Sequence, residues 1–508
     1  MTRFPLASIL ALALGLSLLS ASPADAAHRA KHSAKPSETT TIVVTGRLGR
    51  LIGLSDKAAL RAAWVQYGPD GVVEARAVVE GNECPEIAID LHRSVMTIRT
   101  TGDDKFLTVC SAPIPAQAKQ AALVFLKQHA PLPPLSEGNA AWRDWMEKEY
   151  GIPVPGPQAT EIDREMWRDQ IAAKVRYDLV PLPLSVPDPQ RIVVFGDTGC
   201  RIKGSTVQDC SDPAAWPFAT IAAEAAKLKP DLVLHVGDYL YREDACPADF
   251  KGCAGTPHGD NWPTWDADFF APARPLLAAA PWIMVRGNHE ECRRAGPGWL
   301  RLLGPNAYDR AAACAVHLAP YAVPLGAMSM IVMDNADADD TSVTQASLPL
   351  YRNELAALAQ AKLPVWLALH RPIWAATEGP LGMPVGGNLT MITAAGREGI
   401  TAPVELMLAG HIHTFEAINY ALVPHVPPQI VAGFGGDLLD ETPANLHGTI
   451  FQGDSGVRVS EGLSIGGFGF LLMTRQGDVW MIDVHDWQGR IERQCVFRAG
   501  RLACPKPR

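Results

Sequence analysis

The sequence predicts an α/β core with a mostly buried sheet, preceded by a small β-sandwich. Apolar runs of strand length occur at 192–195, 232–236, 282–285, 365–369 and 406–408, and each leads directly into a short polar motif. Continuous apolar runs bounded by turn residues read as strands covered on both faces. Upstream, residues 41–115 hold strand-like runs at 42–44, 63–67, 72–79, 96–99 and 106–109 around a Gly68-Pro69-Asp70-Gly71 turn, and these read as the β-sandwich. Between the two, residues 116–178 show helical spacing with Trp142, Trp145 and Trp167 on apolar faces, and the proline-rich stretch 181–189 reads as a semi-rigid linker, so that 116–189 connects the sandwich to the core. Downstream, the runs 468–474 and 479–484 flank Gly477 as a closing hairpin.

The five motifs are, in order, Gly196-Asp197-Thr198-Gly199, Gly237-Asp238-Tyr239-Leu240-Tyr241, Gly287-Asn288-His289-Glu290, Leu369-His370 and Gly410-His411-Ile412-His413. At five successive strand ends they can converge on one edge of the sheet. The glycine that opens four of them lets the backbone turn sharply as it leaves the strand. Asp197, Asp238, Tyr241, Asn288, His370, His411 and His413 offer only oxygen and imidazole nitrogen, a set that suits Fe, Zn, Mn or Mg. His411 and His413, two apart in what reads as extended chain, point to the same side and can hold neighbouring ions. A carboxylate such as Asp238 can bridge two ions about 3.5 to 4 Å apart, the spacing of two-metal hydrolases. Gly-Asn-His-Glu alone is an ordinary turn and Gly-His-Ile-His alone a weak match; the order of all five carries the metal-site reading.

This series resembles the calcineurin-like metallophosphoesterase superfamily and, within it, the purple acid phosphatases. Most of the superfamily carries Asp-x-His in its first motif, whereas the purple acid phosphatases carry Asp-x-Gly and a tyrosine three residues after the second aspartate. Gly199 and Tyr241 match both halves of that exchange. The resemblance, supported by motifs over about 190–486, implies a metallophosphoesterase core of two packed mixed β-sheets flanked by helices (αββα) in the segment 190–508. It implies Asp197, Tyr241 and His413 on one metal, Asn288, His370 and His411 on a second, and Asp238 bridging them. Charge agrees, because the first ion faces two carboxylates and a phenolate, whose unperturbed pKa of about 10 demands a strong Lewis acid. Fe(III) beside a divalent Zn, Fe or Mn fits that asymmetry. His289 resembles the family's outer-sphere histidine, which stabilises the transition state and protonates the leaving alkoxide, and Glu290 is placed to orient that imidazole.

The function expected on these grounds is hydrolysis of small phosphate monoesters by attack of a metal-bound hydroxide. One alternative is a phosphodiesterase or nucleotide pyrophosphatase of the same fold. Another, from a different class, is a metal-binding or adhesion protein with a vestigial site, against which the complete ligand set argues. Plant-type purple acid phosphatases carry further histidines nine or ten residues after the fourth-motif histidine, and the span 371–380 here has none. Arg371 can take over a phosphate-oxygen contact or serve as a structural salt bridge.

Other polar residues have blander readings. His235, inside an apolar run, reads as a hydrogen-bonded core histidine. The segment 334–340 holds four aspartates without EF-hand spacing and reads as a solvated loop. Gly433-Phe434-Gly435-Gly436 lacks the helix and lysine of a nucleotide loop and resembles a tight turn that the superfamily places near its site.

A formal charge of −9 over 508 residues argues against binding a nucleic-acid polymer, which relies on neutralisation by Lys and Arg. Arg3, the apolar stretch 6–19 and Ala24-Asp25-Ala26 form a signal peptide over 1–26, followed by a polar tether at 27–40. No second apolar stretch of spanning length occurs, so the mature chain is expected to be secreted or periplasmic and without a membrane span. Ten cysteines suit an oxidising compartment. As nearest neighbours they pair Cys84 with Cys110, Cys200 with Cys210, Cys246 with Cys253, Cys292 with Cys314 and Cys495 with Cys504.

Overall fold

The computed structural model describes residues 57–505, apart from 127–142, 145–146, 149–150, 157, 380–381, 401–402, 422–425 and 452–455. The expected signal peptide, tether and run at 42–44, together with Trp142 and Trp145, lie outside the described residues.

Two mixed sheets pack face to face. The first has 11 strands. Its centre is the parallel set Arg191–Phe195, Leu232–His235 and Trp282–Met284. The second has seven strands, and its centre is the parallel set Met328–Val332, Val365–Ala368, Val404–Ala409 and Gln429–Ala432. Alternation along each strand builds the layers. Ile192 and Val194 face inward and share one core with Trp366, Ala368, Leu406 and Leu408 of the other sheet. Val193 and Phe195 face outward and pack under the helices Phe218–Lys227 and Ala271–Leu277. On the far side, Leu367 and Met407 pack under Leu348–Leu358 and Leu389–Ala395. The result is a four-layered αββα core whose central strands are apolar throughout because both faces are covered.

The expected hairpin is present as Gly469–Gln476 paired with Val479–Asp486, and it continues the first sheet beside Arg191–Phe195.

The N-terminal β-rich region is present, but its sheets extend beyond residue 115. The strands Leu60–Tyr67, Val73–Val79, Thr108–Pro113 and Thr97–Thr100 prolong the first core sheet, joined through the parallel pairing of Gln66 with Trp282. The strands Glu86–Ile89 and His92–Val95 form a separate four-stranded sheet with Ala121–Leu126 and Tyr177–Pro181. These last two lie where the sequence suggests helix and linker. Val65, Ala75 and Cys110 of one sheet and Ile87, Leu123 and Phe125 of the other share a core, and the Cys84–Cys110 disulfide joins the two sheets. Alternation marks strands locally, whereas pairing partners are chosen by packing across long separations. The helical reading of 116–178 holds for Glu161–Arg176, on which Trp167 is half-buried.

Candidate metal centre

All the predicted ligand residues follow the C-terminal ends of the central strands, where the two sheets meet, and the structure brings them together. Three of them, Asp197, Asp238 and His411, sit in the left-handed backbone region at φ 58°, 57° and 70°. Strain of that kind persists only where surroundings enforce it. The glycines do more than turn the chain. A Cβ on Gly237 would lie 2.4 Å from His370 Nδ1, one on Gly287 2.0 Å from Asp238 Oδ1, and one on Gly410 2.5 Å from Asp197 Oδ2. Of the four motif glycines only Gly237 has a positive φ; at Gly287 and Gly410 glycine is required because the ligand of another motif lies directly over the backbone.

Tyr241 is fully buried, and its hydroxyl lies 3.0 Å from Asp197 Oδ1, 3.0 Å from Asp238 Oδ2 and 3.1 Å from His413 Nε2. The other oxygen-rich contact belongs to His370, whose Nε2 is 3.2 Å from Asp238 Oδ2 and 3.0 Å from Asn288 Oδ1. Asp238 Oδ2 is thus shared between the two groups, the position of a bridge. Donor atoms of Asp238, His370 and His411 all lie within 4.8 Å of one another. The opposite ring nitrogens are anchored to backbone carbonyls, His370 Nδ1 at 2.8 Å from Val236 O and His413 Nδ1 at 2.5 Å from Leu438 O. Such partners fix the tautomer and turn Nε2 toward the centre.

His411 and His413 are not in extended chain. They occupy the turn between Val404–Ala409 and Phe415–Tyr420, and His413 reaches Asp197 and Tyr241 while His411 Nε2 lies 2.9 Å from Asp340 Oδ2.

Residues 190–415 match the family model of the calcineurin-like phosphoesterases. They form a domain of that family. No curated protein matches the chain. Among solved structures, the purple acid phosphatase PPD1 from yellow lupin (Lupinus luteus) superposes with a TM-score of 0.50 at 12% identity, over 85% of this chain and 73% of that one. PhoD gives 0.48 at 11% identity over 88% and 92%, and a dimetal phosphatase from Danio rerio 0.35 at 12% over 59% and 97%. At 12% identity the likeness to the lupin enzyme is one of fold.

Calcineurin-like phosphoesterases imply a dinuclear metal centre, and the donor set of this phosphoesterase domain fits one. The single proton of the Tyr241 hydroxyl faces two carboxylate oxygens, those of Asp197 and Asp238, in a buried site, an arrangement that one hydrogen cannot satisfy and a cation can. Without a cation, burial together with Asp197 and Asp238 holds the Tyr241 pKa well above its ordinary value. Burial opposes protonation of His370 and His413, yet Asp238 outweighs it at His370, pushing its pKa up to about 9, and Asp197 with Asp437 does so at His413, pushing it to about 10. An excess of negative charge therefore waits in the site.

His289 lines the same cleft, with its ring 3.8 Å from that of Tyr241. Glu290 does not orient it. The two Glu290 oxygens accept backbone N–H bonds from Tyr239, Leu240 and Gly287, so this buried carboxylate fixes the loop that carries Asp238. The group beside the imidazole is Glu243, with Oε1 3.2 Å from His289 Nδ1. Arg371 is engaged as a salt bridge, its guanidinium bound to Asp340 and to Ala336 O at 3.1 Å.

The segment 334–340 is not a solvated loop. Asp334 is buried against Arg286, Asp337 accepts from Ser347 and Tyr351, and Asp340 faces His411. His235 is a core histidine, with Nε2 3.0 Å from Thr198 Oγ1 and its ring stacked on Tyr239. The glycines at 433, 435 and 436 press against Asp197, Gly196 and Thr198, so the expected turn does lie beside the site.

Four residues around the centre escape a reading of motifs: Glu243, Asp340, Asp437 and Asp268. Asp437 is buried and paired with Arg201, whose guanidinium lies 4.7 Å above the Tyr241 ring. Asp268 ties two ligand loops together by accepting from Cys200 N at 3.1 Å and Tyr241 N at 2.8 Å. Each is a common acidic residue with no fixed spacing from a motif, and only the fold reveals its direction.

All five expected disulfides are formed. Three of them follow Asp197, Tyr241 and Asn288 closely in the chain. Among the described residues no helix is long and apolar enough to cross a membrane.

Proposed function

We propose that the chain is an exported phosphoric ester hydrolase with two metal ions, one held by Asp197, Tyr241 and His413, the other by Asn288, His370 and His411, with Asp238 shared. The observation that carries this reading is the buried Tyr241 hydroxyl set 3.0 Å from an oxygen of Asp197, 3.0 Å from one of Asp238 and 3.1 Å from His413 Nε2. A phenolate among carboxylates favours Fe(III) at the first position, with Zn, Fe or Mn at the second. Bound there, the ions would supply Lewis acidity, lowering the pKa of a water so that it can lose a proton and attack, and clamping the phosphoryl oxygens.

The chain's own residues do the rest. Glu243 and the Leu240 carbonyl, each 3.2 Å from His289 Nδ1, orient the imidazole so that Nε2 faces the cleft. Burial pushes the His289 pKa down to about 4, against the pull of Asp238 and Glu243. A phosphoryl group arriving beside the ring adds negative charge and draws a proton onto it, and that proton is what the departing alkoxide needs. Glu290 and Asp268 hold the backbone of the ligand loops. The five disulfides support export to an oxidising compartment, secreted or periplasmic.

Metal analysis of purified protein together with a panel of phosphate monoesters, diesters and nucleotides tests the reading. Two ions per chain with ester hydrolysis lost on chelation is the expected result. Protein that holds no metal, or holds two ions and hydrolyses no ester, would defeat it.

A further inference from the structure

Above the ligands opens a cleft of about 890 Å³. That is far larger than a phosphoryl group and within the range that houses a drug-sized molecule, so most of its lining faces the organic part of an ester. The cations that line it are already paired. Arg201 pairs with Asp437, and Lys203 and Arg294 both pair with Glu243, the carboxylate that faces His289. No cation among these is left over for a second anionic group. One part of the lining is apolar, formed by Pro384, Val385, Ile450 and Phe451. Val385 is 46% and Ile450 59% exposed, and both line this cleft together with Phe451. This apolar part joins the metal centre directly. A Cβ on Gly387 would lie 3.2 Å from Phe451 Cδ1, the neighbouring Asn388 donates to Asp340 Oδ1 at 2.7 Å, and Asp340 bonds His411.

We infer that the substrate is a phosphate monoester of a neutral, apolar alcohol, whose hydrocarbon group lies along Val385, Ile450 and Phe451 while the phosphoryl group sits over the ligand residues. The inference rests on the phosphoesterase reading above. In the reaction the P–O bond to the alcohol breaks as a P–O bond to water forms, the alcohol leaves with the proton carried by His289, and the proton lost by the water balances it. Nucleoside polyphosphates fit poorly, because their additional phosphates would meet Asp340 and Asp440, with the cations Arg201, Lys203 and Arg294 already paired.

The test is a series of straight-chain alkyl phosphates from ethyl to hexyl, whose leaving groups differ in length far more than in acidity, with ADP as comparator. In the metal-loaded wild type, kcat/KM rises about 2- to 4-fold per methylene, the effect of burying a CH₂ group. The double variant Val385→Ser, Ile450→Ser, altered only at exposed positions, flattens that rise, and Val385→Ile, Ile450→Leu keeps it. Calorimetric binding of the matching alkyl phosphonates, which are not hydrolysed, follows the same trend at unchanged metal content. A wild-type series that is flat in both measurements, or ADP turned over with a higher kcat/KM than hexyl phosphate, overturns the inference while leaving the hydrolase reading intact. No hydrolysis of any ester by protein with two ions per chain overturns the hydrolase reading and this inference with it.

Discussion

Glu243 Oε1 lies 3.2 Å from His289 Nδ1, and the Arg294 guanidinium binds the same oxygen from the other side. The carboxylate is therefore fixed before it meets the imidazole, and the imidazole is fixed by it. Glu243 touches no predicted metal ligand side chain directly, so its contribution to chemistry passes through His289.

His289→Ala is expected to keep both metals and to slow turnover about 10²- to 10⁴-fold, the range for a lost acid–base group. Glu243→Gln, which keeps the shape and removes the charge, should cost about 10- to 100-fold. The double variant should be no slower than His289→Ala alone, because residues acting through one another are not additive. Kinetics and metal content of the three proteins check this, and a multiplicative loss in the double variant would place Glu243 in some other role.

Glu416, which is not one of the ligand residues, gives a pH dependence of stability. It is fully buried on Phe415–Tyr420, its Oε2 accepts from Ala376 N at 3.3 Å, and burial pushes its pKa up to about 8. Between the ordinary carboxyl value and about 8 the folded chain holds a proton that the unfolded chain has released. Stability therefore falls as pH rises through that window, by up to about 1.4 kcal/mol per unit. Glu416→Gln removes the proton dependence, so its denaturation midpoint should gain on wild type progressively from pH 5 to pH 8. A difference that stays constant over that range would mean the carboxyl ionises freely.

How much of this was legible in the sequence follows from where the information lies. Asp197, Asp238, Asn288, His370 and His411 are legible because each follows an apolar strand by two to four residues, and the central strands of both sheets end where the two sheets meet. Tyr241 could be located from its fixed offset of three from Asp238. Glu290 departs from its expected role because adjacency in sequence sets no direction: in the turn at 288–290 its carboxylate points back to the Asp238 loop and accepts from Tyr239 N. Asp340, Asp437 and Glu243 were invisible for the complementary reason. They reach the centre from loops whose course depends on packing between the two sheets. The strands Ala121–Leu126 and Tyr177–Pro181 were likewise hidden, since they pair across some 50 intervening residues and their partners give no local signal.

The disulfides that follow the ligand motifs should serve the site more than the fold. The Cys200–Cys210 bridge closes a loop of sequence separation 10 just after Asp197, and Cys200 N is also held by Asp268. Replacing both cysteines by serine is expected to cost about 2 to 3 kcal/mol in stability and to lower metal content and kcat/KM together. The matching change at Cys495 and Cys504, whose bridge links C-terminal strands and no ligand loop, should cost similar stability and leave metal content unchanged. Equal effects on metal content in the two variants would show that the bridges act only through global stability.

Tyr241→Phe is the most discriminating substitution. The ring is held between Arg201, 4.7 Å from its centroid on one side, and His289, 3.8 Å between ring centres, so phenylalanine fits the same space and only the hydroxyl is lost. If that oxygen binds Fe(III) as a phenolate, the wild type is coloured by ligand-to-metal charge transfer and the variant is not. Asp238, Asn288, His370 and His411 remain to hold the second ion, so metal analysis of the variant should find the divalent ion retained and iron diminished. Removing the hydroxyl also frees Asp197 Oδ1 and His413 Nε2, which would then pair with each other at their present 3.3 Å, and the metal-free variant should be no less stable than the metal-free wild type. Colourless, fully active wild-type protein containing only zinc or manganese would show that Tyr241 is a packed aromatic and that the iron assignment fails, while the two-metal hydrolase reading would stand on the remaining ligands.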